Sequence, residues 1–404
     1  MNFIREKPIV IGGASFLGTL FNGVYCLDET SGEVLWHFDE LPSGGHTVVL
    51  ETFLYIGGGS YDRSTDTFTG YVFCLDQLTG KKIWSYTAQD VEFLSIAIQD
   101  YRVFAISNTF SQTTKTHDSA VYCLNSMTGE FIWSFPTSGY AFTPCISDGY
   151  MFVTSNQIAA EDASLVGGKL YVFDMSSRKL VWSTSKVNIT TPTVAEGIVY
   201  FGSGDKNVYA FNASNGLQLW ACPTDSSLVN SWAGPGLHNP PVVENGYVYV
   251  SALDGVYCIN GISGLRIWSY KTDRPLLIMP TISNGRLYVG SGELGDYVPY
   301  VHHSLYELNA LTGKKLWNYT FEGIISGPPL IIGDTIFVGV SYVTLKSPSY
   351  GAGWLFALQE ATITVEPSPS VPELSWLVIL PLLLCMFSVA LIGRHRKNTN
   401  HMQI

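Results

Sequence analysis

The chain has 404 residues, 46% of them hydrophobic and 14% charged, with a formal net charge of −11. That length admits two domains, but the composition suits one β-rich globule with a large core. No Lys/Arg cluster lies within residues 1–365, and the acidic excess excludes nucleic acid as an expected partner.

In chain order, Met1 to Lys7 holds no apolar stretch that serves as a signal peptide. Pro8 to Ala14 reads as a short strand, and a 13-residue phrase then begins that recurs seven times. Its copies run Val24 to Trp36, Val72 to Trp84, Val121 to Trp133, Leu170 to Trp182, Val208 to Trp220, Val256 to Trp268 and Leu305 to Trp317. The closing tryptophans are spaced 48, 49, 49, 38, 48 and 49 residues apart, a period in the range of propeller blades.

The fifth position of the phrase is always Asp or Asn, and the ninth is Gly in six copies. A short polar side chain can bond backbone N–H groups ahead of it, and Gly takes a left-handed conformation that costs residues with a Cβ. The phrase therefore predicts a hairpin. Arg178 replaces the Gly of the fourth copy, so that turn is expected to be strained or differently shaped.

Before each turn, residues of both parities are apolar, as in Val24, Tyr25, Cys26 and Leu27. A strand with one wet face would alternate, so this one is expected to be covered on both faces. Upstream of most copies lies a small or Pro residue, a short apolar run, a turn and a second apolar run, as in Pro241 to Val243 with Tyr247 to Val250. Each unit is thus expected to hold four strands, A to D, with Trp on D. Pro328 to Leu358 makes an eighth unit whose last strand, Thr362 to Val365, lacks the Trp.

The expected fold is all-β, an eight-bladed β-propeller of four-stranded antiparallel blades over residues 1–365, plus a C-terminal transmembrane helix. Seven blades result instead if residues 8–38 and 326–365 share one sheet. The first unit lacks an A strand and the chain lacks a leader, and a start farther upstream would explain both. Residues 366–375 form a Pro/Ser-rich stalk. Residues 376–393 include an uncharged run, Trp376 to Ile392, near the lower limit for a spanning helix. Residues 394–404 carry the basic cluster Arg394-His395-Arg396-Lys397, which the positive-inside tendency keeps cytoplasmic, so the propeller is expected to face outward. A cytoplasmic propeller with a tail anchor is the alternative. Pro372-Glu373-Leu374 before the run is similar to tripartite C-terminal sorting signals, so the helix is expected either to stay as an anchor or to be processed. Sequons at Asn188, Asn212 and Asn318 are compatible with an exterior location.

Four of seven cysteines, Cys26, Cys74, Cys123 and Cys258, share one phrase position in different units, too far apart to bridge, and read as small buried apolar residues. Cys145 and Cys222 are free to pair.

The phrase resembles that of the PQQ-like β-propeller repeat proteins, Leu-Tyr-Ala-Leu-Asp-x-x-Thr-Gly-x-x-x-Trp, over residues 8–365. In that family the Trp docks against a neighbouring blade, which implies a blade-docking role for Trp36, Trp84, Trp133, Trp182, Trp220, Trp268 and Trp317. The resemblance also raises PQQ-dependent alcohol and sugar dehydrogenases. Their cofactor lies under a disulfide of adjacent cysteines, and this chain has no Cys-Cys pair. Their Ca²⁺-binding Glu and Asn and catalytic Asp find no matching motif, and no Gly-x-Ser-x-Gly or His-Glu-x-x-His is present. No cofactor and no catalytic residue are therefore expected, and the resemblance is to the non-catalytic branch, which includes an outer-membrane assembly lipoprotein that works as a scaffold.

Strand alternation sends the B–C and D–A connections to one face and the A–B and C–D turns to the other. The long B–C segments run Gly59 to Gly70, Asn108 to Ser119, Asn156 to Gly168, Gly292 to Ser304 and Tyr342 to Gly353, and a long D–A segment runs Pro223 to Asn239. Their aromatic residues Tyr61, Phe68, Phe110, Trp232, Tyr297, Tyr300, Tyr342 and Tyr350 form the candidate binding face for a protein partner or a surface glycan. Asp62 with Asp66, and Glu293 with Asp296, were weighed for Ca²⁺ and read as solvated acidic loops. His302-His303 is a weak metal pair, because neighbours on a strand point to opposite faces. The expected function is a membrane-tethered, non-catalytic surface scaffold, with a PQQ oxidoreductase and a carbohydrate-binding module as rivals.

Overall fold

The computed structural model describes residues 9–12, 24–28, 33–40, 47–62, 64–65, 67–111, 116–158, 165–228, 239–276, 278–291, 302–325, 327–341, 353–360 and 387–391. Among them every regular element is a strand, and all strands pair antiparallel in eight sheets. The second sheet shows the plan: Thr47–Leu50, Phe53–Asp62, Thr67–Asp76 and Lys82–Gln89 lie side by side in chain order. The third through seventh sheets repeat it, the fourth with its first strand broken into Tyr140–Ala141 and Cys145–Ser147. The first sheet has three described strands, Ile9–Gly12, Val24–Leu27 and Val34–Phe38, and it is separate from the sheet that holds Thr335–Ser341 and Gly353–Glu360.

Two turn chemistries make this plan. Five A–B links are two-residue loops with both residues at positive φ, for example Asn245 (51°) and Gly246 (77°), the geometry whose twist matches a hairpin. At the C–D links the Asp or Asn side chain accepts N–H groups two and three residues ahead. Asp76 Oδ1 takes Leu78 N at 3.1 Å and Thr79 N at 2.8 Å, and Asn260 Oδ1 takes Ser263 N at 2.8 Å. The ninth-position N–H then closes the turn, as Gly80 N to Asp76 O at 2.8 Å. Each of the seven C–D pairs that carry the phrase slips register at the same place, between the third and fourth phrase positions, from Cys26/Leu27 to Glu307/Leu308. That bulge sets the Trp opposite the third position.

The Arg178 turn keeps the shape of the others: Arg178 N bonds Asp174 O at 2.8 Å, with φ of +57°. It is strained rather than reshaped, since a residue with a Cβ sits in the left-handed region.

Cys26, Cys74, Cys123 and Cys258 are fully buried and free, and Cys145 and Cys222 are also free, so the pairing open to those two does not form. The core lies in the seams between sheets. Tyr55, Val72 and Cys74 of the second pack with Phe93, Ile96 and Val103 of the third. Five indoles cross a seam to donate to a turn carbonyl of the next sheet: Trp36 to Gln77 O, Trp84 to Ser126 O, Trp182 to Ala213 O, Trp220 to Gly261 O and Trp268 to Ala310 O, all at 2.8–3.0 Å. At the opposite end of the strands, buried amides staple the seams. Asn156 donates to Ile189 O at 2.9 Å and accepts from Ile189 N at 2.8 Å, and Asn108 pairs with Ala141 in the same way.

The last sheet departs from expectation. Its outer strand is Phe387–Leu391, paired with Gly353–Glu360 in the register Ala357 opposite Ala390. Five residues of the run read as a transmembrane helix are therefore a strand. The physical reason is that the outer edge of Gly353–Glu360 has backbone groups to satisfy, and a segment with Val and Phe favours the strand that satisfies them. Thr362 to Val365, expected in that place, lies outside the described residues. Among the described residues no helix is long and apolar enough to cross a membrane.

Candidate functional site

At the B–C end, three neighbouring sheets project. The strands Phe53–Asp62 and Thr67–Asp76 stay paired out to Asp62 opposite Thr67, Arg102–Ser111 and Thr116–Asn125 to Ser111 opposite Thr116, and Tyr150–Ile158 and Leu165–Asp174 to Ile158 opposite Leu165. In these three sheets the segments expected as long loops are thus in part hairpin extensions, because Thr, Tyr and Phe there favour pairing, while most of the other three long segments lies outside the described residues. In the fifth and sixth sheets the same link is tight, with Gly202 opposite Val208 and Ala252 opposite Gly255.

On the first projecting hairpin Tyr61 and Phe68 are direct partners with ring centroids 4.7 Å apart, and Tyr61 is 47% exposed. Cross-strand ring pairs of this kind stiffen a ribbon and offer an apolar patch. Asp62 caps the tip: its Oδ1 accepts Ser64 N at 2.8 Å and Ser64 Oγ at 2.7 Å, bonds that hold its carboxyl below the usual range. It serves the turn, and its expected companion Asp66 lies outside the described residues. Phe110 sits in a projecting strand opposite His117. Trp232, Tyr297, Tyr300, Tyr342, Tyr350, Pro372, Glu373 and Leu374, with Glu293 and Asp296, lie outside the described residues.

Beneath the hairpins the base is polar and closed. Ser119 Oγ donates to Gly139 O at 2.6 Å and reaches Asn108 Oδ1 at 2.5 Å, both side chains buried. His303 is buried, and its Nδ1 accepts Ile325 N at 3.2 Å, which ties the seventh sheet to the eighth. Among the described residues no three His, Cys, Asp or Glu side chains are grouped to hold a metal.

Where the Pro223 to Asn239 segment begins, beside the tight link at Ala252 and Gly255, lies a network that the phrase pattern did not reveal. Asp225 meets Arg266 at 3.1 Å and Lys271 at 3.4 Å, and Asp254 accepts Tyr257 OH at 2.8 Å and Ser226 Oγ. Arg266 holds the Asp225 carboxyl below its ordinary value, while burial and then Asp254 raise Tyr257. The only signal in the sequence was acidic residues falling in two consecutive connections. Of the sequons, Asn188 is buried, and Asn212 uses its Oδ1 to cap its own turn.

A family model described as outer membrane protein assembly factor BamB matches residues 21–165, 117–233 and 225–342. A comparison with curated proteins gives no match. Among solved structures, BamB from Moraxella catarrhalis superposes with a TM-score of 0.55 at 17% identity, over 82% of this chain and 95% of that one. The quinohemoprotein alcohol dehydrogenase of Comamonas testosteroni gives 0.61 at 11% identity, over 91% and 75%. The computationally designed Ika8 protein gives 0.61 at 13%, over 83% and 91%. These identities speak to the fold, a β-propeller of PQQ-like repeats.

Proposed function

Because the chain belongs to the family described as outer membrane protein assembly factor BamB, we propose that it is a non-catalytic, eight-bladed scaffold that binds another protein through its elongated B–C hairpins. The observation that carries this reading is the asymmetry of the two ends. Three adjacent hairpins extend from one, with Tyr61 and Phe68 paired and Tyr61 exposed, while the other keeps near-identical tight turns. Variation concentrated at one end of a rigid frame is where binding is carried. Eight separate sheets support the blade count. A photo-crosslinking residue in place of Tyr61 should give one discrete protein adduct in the native host, and one in place of the exposed Leu219 on the outer strand Gln218–Pro223 should give none. Equal adducts at both positions, or none at Tyr61, would count against this face.

The dehydrogenase reading draws on the similarity to the Comamonas enzyme, but the residues do not fit its cofactor. Adjacent cysteines are lacking, and among the described residues no acidic group is assembled for a metal. The hairpins also leave room for a glycan in place of a protein, which a glycan array would reveal.

Membrane tethering through Trp376 to Ile392 and an outward-facing propeller remain part of the proposal, supported by the uncharged run and the basic cluster behind it. Insertion of that run requires Phe387–Leu391 to leave the edge of the last sheet, so the tether and the paired strand are alternative states of one segment.

A further inference from the structure

Among the described residues, the turn end is irregular at the seam between the third and fourth sheets. In five C–D turns a Cβ on the ninth-position Gly would stand 2.5–2.7 Å from the indole of the preceding sheet: Gly80 from Trp36, Gly129 from Trp84, Gly216 from Trp182, Gly264 from Trp220 and Gly313 from Trp268. Each indole therefore lies flat on a glycine. The fourth sheet has Arg178 at this position, so the glycine on which the other indoles rest is missing opposite Trp133. Its Nε1 has no acceptor among the described residues, although register assigns it Met175 O. The Trp133 and Phe135 rings lie 4.7 Å apart, tilted at 55° to each other.

Beside this corner opens a cavity of about 460 Å³ lined by Arg102, Arg178, Asp148, Asp174, Tyr150 and Met175, among others. Arg102 comes from the third sheet and the rest from the fourth, so the cavity straddles the seam. Neither guanidinium has an ion-pair or hydrogen-bond partner among the described residues, whereas Arg266 and Arg286 are paired with Asp225 and Glu307. The two charges converge: burial raises the Cys123 thiol to about 11, and both Arg102 and Arg178 oppose that rise. The carboxylates are engaged with their own turns. Asp174 accepts Ser177 N at 2.6 Å and Ser176 Oγ at 2.7 Å, and Asp148 accepts Ser147 Oγ at 3.0 Å.

We infer that this corner is a second binding site, in which Arg102 and Arg178 clamp one carboxylate of a partner polypeptide against the Tyr150 and Met175 wall. Guanidinium groups match a planar carboxylate with paired N–H donors. Asp148 and Asp174, each partly engaged with its own turn, offset some of the positive charge, so a single carboxylate is accepted and a phosphate dianion is disfavoured. On a chain of net charge −11, two unpaired guanidiniums in one cavity are the feature that would draw an acidic side chain. The non-glycine residue in a left-handed turn is retained strain of the kind found at binding sites. The site is independent of the hairpin face at the other end.

The test is arginine Nε–H resonances in the full chain, titrated with the peptide Ac-Ala-Glu-Ala-NH₂, its Gln counterpart, acetate and inorganic phosphate. Arg178→Gly and Arg102→Gln assign the two signals. Arg178→Gly restores the glycine of the other turns and is expected to fold. Both signals should shift together and saturate with the Glu peptide, with at least tenfold weaker binding of the Gln peptide, of acetate and of phosphate, and either variant should abolish it. No saturable shift, equal response to Gln and Glu, or acetate or phosphate matching the Glu peptide would overturn the inference.

Discussion

Trp182 and Gly216 show how one residue's chemistry depends on another a repeat away. A methyl group on Gly216 would stand 2.6 Å from the indole, and the φ of +72° already disfavours any Cβ. Gly216→Ala should therefore cost about 2–4 kcal/mol, from the left-handed penalty and the strained or lost Trp182 bond to Ala213 O, read by urea unfolding. A change below about 0.5 kcal/mol would show that the indole does not rest on the turn. The buried third-position cysteines give a pH signature. Burial pushes Cys26 and Cys123 to about 11 and Cys74 and Cys258 to about 12. A raised folded value means that their contribution to stability is intact below about pH 9 and is lost as pH rises through 11–12. These four thiols should resist alkylation at pH 8 until denaturant is added, and rapid labelling of the native chain would contradict their burial.

At the scale of elements, the C–D hairpin was legible because its chemistry is local: an Asp or Asn, a Gly and a Trp at fixed offsets. The common bulge and the indole–carbonyl bonds were not legible, since they depend on how neighbouring strands slip and stack. The B–C segments read as loops because Ser, Thr, Asp and Gly there resemble turn composition, yet Thr67, Phe68 and Thr69 pair across from Asp62, Tyr61 and Ser60. The C-terminal run was the hardest to read, because an apolar stretch suits either a bilayer or an open sheet edge. Ending the chain at Ser375 distinguishes them. If Phe387–Leu391 completes the last sheet, the shortened protein should melt about 1–2 °C lower for each ~1 kcal/mol lost. An unchanged melting temperature together with release from the membrane fraction would assign the run to the bilayer.

For the whole molecule, eight sheets with cores in their seams and a family match across residues 21–342 make a frame whose regularity leaves function to its departures from the repeat. One departure is the set of projecting hairpins, legible in the sequence as insertions; the other is the Arg178 corner, legible only as a broken glycine position. Neither assembles a reacting centre from the described residues. Binding without chemistry is the central claim, and reconstitution with PQQ and Ca²⁺ followed by dye-linked alcohol and sugar oxidation tests it most directly. The account predicts no turnover above a buffer control and no saturable cofactor uptake, whereas stoichiometric PQQ binding with substrate-dependent dye reduction would contradict it.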